Sequence, residues 1–124
     1  MKLINNTQNK TIATNVIVKK GVGVVIGLIP YKVENKYIYD YLKWKKLDKN
    51  TAMWFKVRGK SGVHMWFMSF PISVFFLDKD GKVIEKVRLE PFERFRPKKN
   101  YECFIELSES WIKKISLGDK LELR

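Results

Sequence analysis

Apolar residues along the 124-residue chain recur in short blocks or with a period of two. Few stretches show the three-to-four spacing of an amphipathic helix, so the pattern reads as strands joined by turns. Residues 2–5 and 11–18 predict two short strands, with the polar "NNTQNK" as the turn between them. "TAMWFKV" (51–57) predicts a third strand, entered through a turn at Asp48–Asn50. "VHMWFM" and "ISVFFL", joined through Pro71, are too apolar for a strand with one face in water, and fit strands buried on both sides. "DKDGK" (78–82) predicts a hairpin, because Asp80-Gly81 supplies the positive φ of a tight turn, and "VIEKVRL" is the returning strand. "PFERFRPKKN" reads as a loop. In "YECFIEL", Tyr101, Cys103, Ile105 and Leu107 face one way and Glu102 and Glu106 the other. Ser108 is placed to cap a short helix, "ESWIKKIS", with Trp111, Ile112 and Ile115 on its apolar stripe. Gly118-Asp119 turns the chain into a last strand, "KLEL".

Two stretches resist this reading. "GVGVVIG" (21–27) looks like a nucleotide loop, but the third glycine of G-x-G-x-x-G falls at Ile26 and no Lys-Ser or Lys-Thr follows. It reads instead as a close approach of backbones. "ENKYIYDYLKWKKLDKN" (34–50) fits a strand through Tyr37, Tyr39 and Tyr41, or a helix through Tyr37, Tyr41 and Trp44, and tyrosine enrichment favours the strand. The sum is a mainly β, single-domain chain (1–124): a small β-barrel or sandwich-like fold with one short C-terminal helix.

Composition adds charge. The chain carries net +12, and residues 1–60 hold 13 Lys+Arg against 3 Asp+Glu, or +10 of it. Such asymmetry suits an acidic partner, although a lysine-rich solubilising surface has the same composition. The single cysteine allows no internal disulfide, the N-terminus shows no signal-peptide pattern, and no apolar run reaches membrane-spanning length. A cytoplasmic protein is the expectation.

Three segments together resemble a known family: "GLI" (27–29), "HMWFMSFPISVFFLDKDGKVIE" (64–85) and "YECFIELSESWIKKISLGDKLEL" (101–123). In this order they resemble the domain of unknown function 192 family, and His-Met-x-Phe-Met-x-Phe-Pro-Ile (64–72) looks like its archaeal variant. The resemblance implies a compact β-rich fold and no established activity. Ile29 stands where the family pattern has methionine, and Ser73 where it usually has aspartate. A serine could replace a turn-capping aspartate, but not one that carried acid–base or metal chemistry.

The candidate residues divide among three readings. His64, Trp66, Met68 and Ser73 are candidates for a binding site, in a non-enzymatic binding or structural module for a small ligand or a protein partner. Lys43, Trp44, Lys45, Lys46, Arg94 and Arg96 interleave rings and cations as in a surface for single-stranded nucleic acid. A hydrolase would pair His64 with a nearby serine, but no G-x-S-x-G frames Ser61, Ser69 or Ser73, so no catalytic residue is assigned. One histidine and one cysteine without paired spacing give no metal site, and no cofactor is expected. Cys103 reads as an inert buried thiol.

Overall fold

The computed structural model describes residues 1–20, 48–56, 63–64, 70–91 and 93–124. The readings of residues 21–30 and 34–47, and of residues 65–69, lie outside this set. The strands are β1 (Leu3–Asn5), β2 (Lys10–Ala13), β3 (Asn15–Lys20), β4 (Thr51–Lys56), β5 (Val63–His64), β6 (Ile72–Leu77), β7 (Val83–Leu89), β8 (Arg94–Phe95), β9 (Cys103–Ser108) and β10 (Leu121–Leu123). They form a five-stranded sheet in the order β3-β4-β9-β6-β7, a three-stranded sheet β10-β1-β2 and a ribbon β5-β8. β3 and β4 run parallel, and the other pairs are antiparallel.

The two larger sheets stack on one hydrophobic core. Leu3, Ile12, Ala13 and Leu121 from the small sheet meet Trp54, Phe75, Ile105 and Leu107 from the large one. Neither sheet closes on itself, so of the two predicted architectures the molecule adopts the sandwich and not the barrel. The opposite face of the large sheet carries a second apolar cluster, including Met53, Phe55, Ile72, Val74, Phe76 and Phe104. This explains the unbroken burial along β6: every residue from Ile72 to Leu77 is buried because both faces of its sheet are covered.

Four readings are refined by the structure. The strand expected over 11–18 breaks at Thr14, where the chain leaves the small sheet for the large one. Asn50 fixes that crossing: its side-chain oxygen accepts the Thr14 amide at 2.9 Å and its carbonyl accepts the Asn15 amide at 3.1 Å. The loop expected over 91–100 contains β8, which pairs with β5. Tyr101 departs from the alternation of β9 and packs with Phe76 and Phe104 in the second cluster. The expected C-terminal α-helix is a single 3-10 turn, Glu109–Trp111, and Ser108 makes no side-chain cap. The apolar stripe holds without the α-helix: Trp111 and Ile115 are buried and Lys113 and Lys114 exposed, and packing on the sandwich adds to the few turn hydrogen bonds that the Ile112, Lys114 and Ile115 amides make.

The β6–β7 hairpin turns where Asp80-Gly81 predicts. The Asp78 carboxylate accepts the amides of Asp80 and Lys82, each at 2.9 Å, and Gly81 has φ +82°. Gly81 also accepts the Leu121 amide at 2.8 Å, which ties the hairpin to β10. A Cβ on residue 81 would lie 2.6 Å from the Leu121 carbonyl oxygen. Gly81→Ala therefore meets both an unfavourable φ and a backbone clash, and is expected to cost about 2–4 kcal/mol. The urea midpoint should fall with little change in slope, and a loss below about 1 kcal/mol would show that the two elements can part freely.

Candidate functional site

The strongest chemical anomaly lies on β9. Cys103, Ile105 and Leu107 enter the core between the sheets, so Phe104 and Glu106 project from the second face. From Cys103 to Leu107 the alternation holds, and the face that Glu106 shares with Phe104 is itself covered. Glu106 is only 7% exposed. It sits in the middle strand of the sheet, opposite Met53 on β4 and Val74 on β6. Phe104 is its neighbour along the strand on the same face, and stacks on Phe55 at 4.7 Å. Its Oε2 is fully buried with no hydrogen-bond partner among the described residues. Burial pushes the Glu106 carboxyl up to about 8, so at neutral pH it is an uncharged acid able to donate or accept a hydrogen bond.

A groove of about 350 Å³ opens at one end of the sandwich. Trp54, Cys103 and Leu121 form its floor, and Lys56, Asp78, Lys79, Glu102, Lys120 and Glu122 are among its walls. Burial first, and then Glu102, push the Cys103 thiol up to about 12, which leaves it unreactive as expected. The groove is broad and its charged walls stand in water, so nothing in it requires a ligand.

The residues singled out from sequence fall in different places. Trp66, Met68, Lys43, Trp44, Lys45 and Lys46 lie outside the described residues, as do Ser61 and Ser69. His64 lies on β5 at the register position opposite Arg94 of β8. Arg94 and Arg96 are exposed, and so are Lys98 and Lys99 just beyond them. Phe95, between the two arginines, packs on Phe76 at 5.7 Å. The β5–β8 ribbon thus adjoins the same second face that holds Glu106.

Ser73 is fully buried and belongs to the other face, beside Phe75 rather than Val74. Its hydroxyl donates to the Ser108 carbonyl at 2.7 Å, with the Leu107 carbonyl at 3.2 Å. It acts as a donor here, whereas a carboxylate could only accept. Ser73→Asp would press a buried carboxylate against two carbonyl oxygens and is expected to cost about 3 kcal/mol or more. Ser73→Ala should lose only about 1–2 kcal/mol. Urea unfolding of both variants checks the order, and an aspartate variant as stable as the serine protein would mean that the site offers a hidden donor.

Sequence reasoning passed over Glu106. The signal was nevertheless present: a glutamate two residues from Phe104, on a strand whose sheet was expected to be buried on both sides.

Comparison with known proteins supports the fold and the family. No curated protein matches the chain in sequence. A solved structure from Sinorhizobium meliloti 1021, described as a "putative transcription regulator", is similar with a TM-score of 0.75 at 17% identity, over 98% of this chain and 89% of that one. A protein of unknown function from Novosphingobium aromaticivorans DSM 12444 is similar with a TM-score of 0.74 at 14% identity, over 98% and 82% of the two chains. At these identities the likeness is one of fold. The model of the family described as "Uncharacterized ACR, COG1430", domain of unknown function 192, matches residues 41–123, about two thirds of the chain, and the chain belongs to that family.

Proposed function

We propose that the chain, as one domain over 1–124, is a non-enzymatic binding module whose ligand enters the covered second side of the five-stranded sheet at Glu106. The observation that carries this reading is the buried Glu106 Oε2, which has no hydrogen-bond partner among the described residues and lies on a mainly apolar face. A fold retains such a group at a cost, and a ligand that supplies its missing hydrogen bond offsets that cost. His64 remains a candidate for the border of this site, since β5 pairs with the strand whose Phe95 packs on the same face, and Trp66 and Met68 remain candidates from the sequence alone. Ser73 lies on the opposite face and is left out of it. The test is a methyl NMR screen of small apolar and mixed fragments, read at Met53 and Val74, which flank Glu106. Shifts at the methyl groups of these two residues are expected, and their absence across the library overturns the reading.

A second reading is nucleic-acid binding. The exposed Arg94, Arg96, Lys98 and Lys99 add to the +10 of residues 1–60, and one structural neighbour bears a transcription regulator's name. Counterion release then predicts oligonucleotide binding that weakens steeply between ~50 and ~200 mM salt, and no binding at the lower salt removes this reading. We also infer the archaeal-type variant of the family from His-Met-x-Phe-Met-x-Phe-Pro-Ile, and a cytoplasmic location from the lone, buried cysteine.

A further inference from the structure

We propose that the exposed surface around Trp111 binds the phosphate backbone of duplex nucleic acid, through Lys10, Lys49, Lys113 and Lys114. This rests on the second reading above, nucleic-acid binding, and names the surface and the form of nucleic acid it takes. The fold gathers these lysines from three separate segments. Lys10 opens β2, Lys49 lies in the turn before β4, and Lys113 and Lys114 follow the 3-10 turn. All four are exposed. Trp111 is what they share. Its indole N–H donates to the Lys49 carbonyl at 3.1 Å, and the Lys10 and Lys114 ammoniums stand 5.8 and 5.2 Å from its ring centre. An ammonium held against an indole has less freedom to lose on binding than one that swings in water, so two of the charges are pre-positioned. This surface is not the one that carries Arg94 and Arg96. Trp111 belongs to the cluster between the sheets, whereas Phe95 packs against the cluster on the other side of the large sheet.

The carboxylates of the same segments are engaged elsewhere. Asp48 accepts the Asn50 amide at 3.2 Å and the Thr51 hydroxyl at 3.3 Å. Glu109 is paired with Arg88 at 2.6 Å. Asp119 is buried, and its Oδ2 holds the Asn5 and Gln8 side chains and the Ser116 amide. No ion pair among the described residues includes any of the four lysines. Lys86 shows what a lysine committed to the fold looks like: its ammonium donates to the Ile112 and Ile115 carbonyls at 2.7 and 2.9 Å. The four lysines around Trp111 have no such task, and an outside anion is the partner their charge lacks.

The side chains present select among polyanions. Ammoniums are point charges that position a phosphate backbone and read no base. A single strand held through its bases needs exposed rings to stack on. Trp111 is only 8% exposed and its ring is already shared by two ammoniums, so it offers no base a platform. An anionic bilayer needs an apolar anchor beside the charge, and Leu117 is the single large apolar side chain exposed on the segment after the 3-10 turn. The regular phosphates of a duplex ask for no more than the lysines supply.

The experiment is fluorescence anisotropy of the full chain with a labelled duplex of mixed sequence, about 20 base pairs long, at ~50, ~100 and ~200 mM salt. One strand of that duplex, and vesicles of phosphatidylcholine and phosphatidylserine, are the parallel probes. Four phosphate contacts predict a log–log salt slope of about −3 to −4. The double variants Lys10→Gln with Lys114→Gln, and Lys49→Gln with Lys113→Gln, should each weaken duplex binding about tenfold or more at the lowest salt and make the slope shallower by about 2. The Lys49 and Lys113 side chains make no hydrogen bond or ion pair among the described residues, so the second variant keeps the fold, and an unchanged urea midpoint verifies this. Arg94→Gln with Arg96→Gln should weaken binding less than either lysine pair. Duplex binding unmoved by both lysine pairs overturns this surface and leaves nucleic-acid binding standing elsewhere on the chain. A single strand bound more tightly than the duplex overturns the duplex form. Vesicles bound while the duplex is ignored overturn the proposal in favour of a membrane. Neither duplex nor single strand bound at ~50 mM salt removes the second reading as well.

Discussion

Glu106→Gln is expected to be more stable than the wild type at neutral pH, and the gain should grow as pH rises. In the folded wild type the buried carboxyl holds its proton up to about pH 8, whereas an ordinary glutamate releases it near 4.5. Between these values the folded state binds more protons than the unfolded chain, so stability falls with each unit of pH. The protonated acid's stability is fully present below pH 4.5 and is lost as pH rises through about 8. The slope approaches 1.4 kcal/mol per unit, which places the gain of Gln over Glu at about 3 kcal/mol near pH 7 and about 5 kcal/mol above pH 8. Glutamine has the same shape and nothing to ionise. Urea unfolding of both proteins at each unit from pH 5 to 9 gives the difference directly, and the groups they share cancel from it. A difference that stays constant from pH 5 to 8 would mean that the carboxyl is already ionised in the fold and has found a cationic partner.

Periodicity carried most of the architecture, and its failures have physical causes. Short apolar runs rich in β-branched or aromatic residues placed β4, β6, β7 and β9, and the Gly118-Asp119 turn placed β10. Asp80-Gly81 marked its hairpin because its steric requirement is local. The break at Thr14 was not visible, because it depends on Asn50, 36 residues away. The C-terminal helix failed for a related reason. Trp111 and Ile115 have helical spacing, but burial against the sandwich, not an intact hydrogen-bond ladder, holds them. Glu106 was missed because alternation tells which residues share a face, not whether that face meets water. Two clues in the sequence, read together, would have exposed it. The unbroken burial predicted for "ISVFFL" implied a sheet covered on both sides, and so any glutamate on a neighbouring central strand had to be buried.

Asp119→Ala is expected to lose about 3–4 kcal/mol, and its variant series should separate charge from shape. Asp119 is itself buried. Its Oδ2 accepts three hydrogen bonds, from the Asn5 side chain at 2.9 Å, the Gln8 side chain at 2.7 Å and the Ser116 amide at 3.0 Å. Asn5 ends β1, Gln8 lies in the turn to β2, and Ser116 follows the 3-10 turn, so one oxygen joins three segments at the edge of the small sheet. The adjoining backbone reaches the large sheet, since the Val83 amide donates to the Asp119 carbonyl at 2.9 Å. Alanine leaves the nearly inaccessible Asn5 amide without this acceptor, and the loss of one partner from a buried pair costs its full desolvation. Asparagine keeps the shape and one acceptor oxygen, but gives up the charge, so the order of stability should be Asp, Asn, Ala. Acid supplies the independent check. Burial alone would raise the Asp119 pKa, but the hydrogen bonds from Ser116, Asn5 and Gln8, with Lys86 nearby, hold it below the ordinary 3.8. The unfolded chain then takes up the proton first. The stability this group confers is present above about pH 4 and is lost as pH falls through its lowered value. Asp119→Asn should therefore flatten the acid limb of the stability curve while its alkaline limb still falls like the wild type's, because Glu106 remains. Glu106→Gln should do the reverse. A single change that moved both limbs would mean that the two carboxyls, one on each side of the large sheet, do not titrate independently.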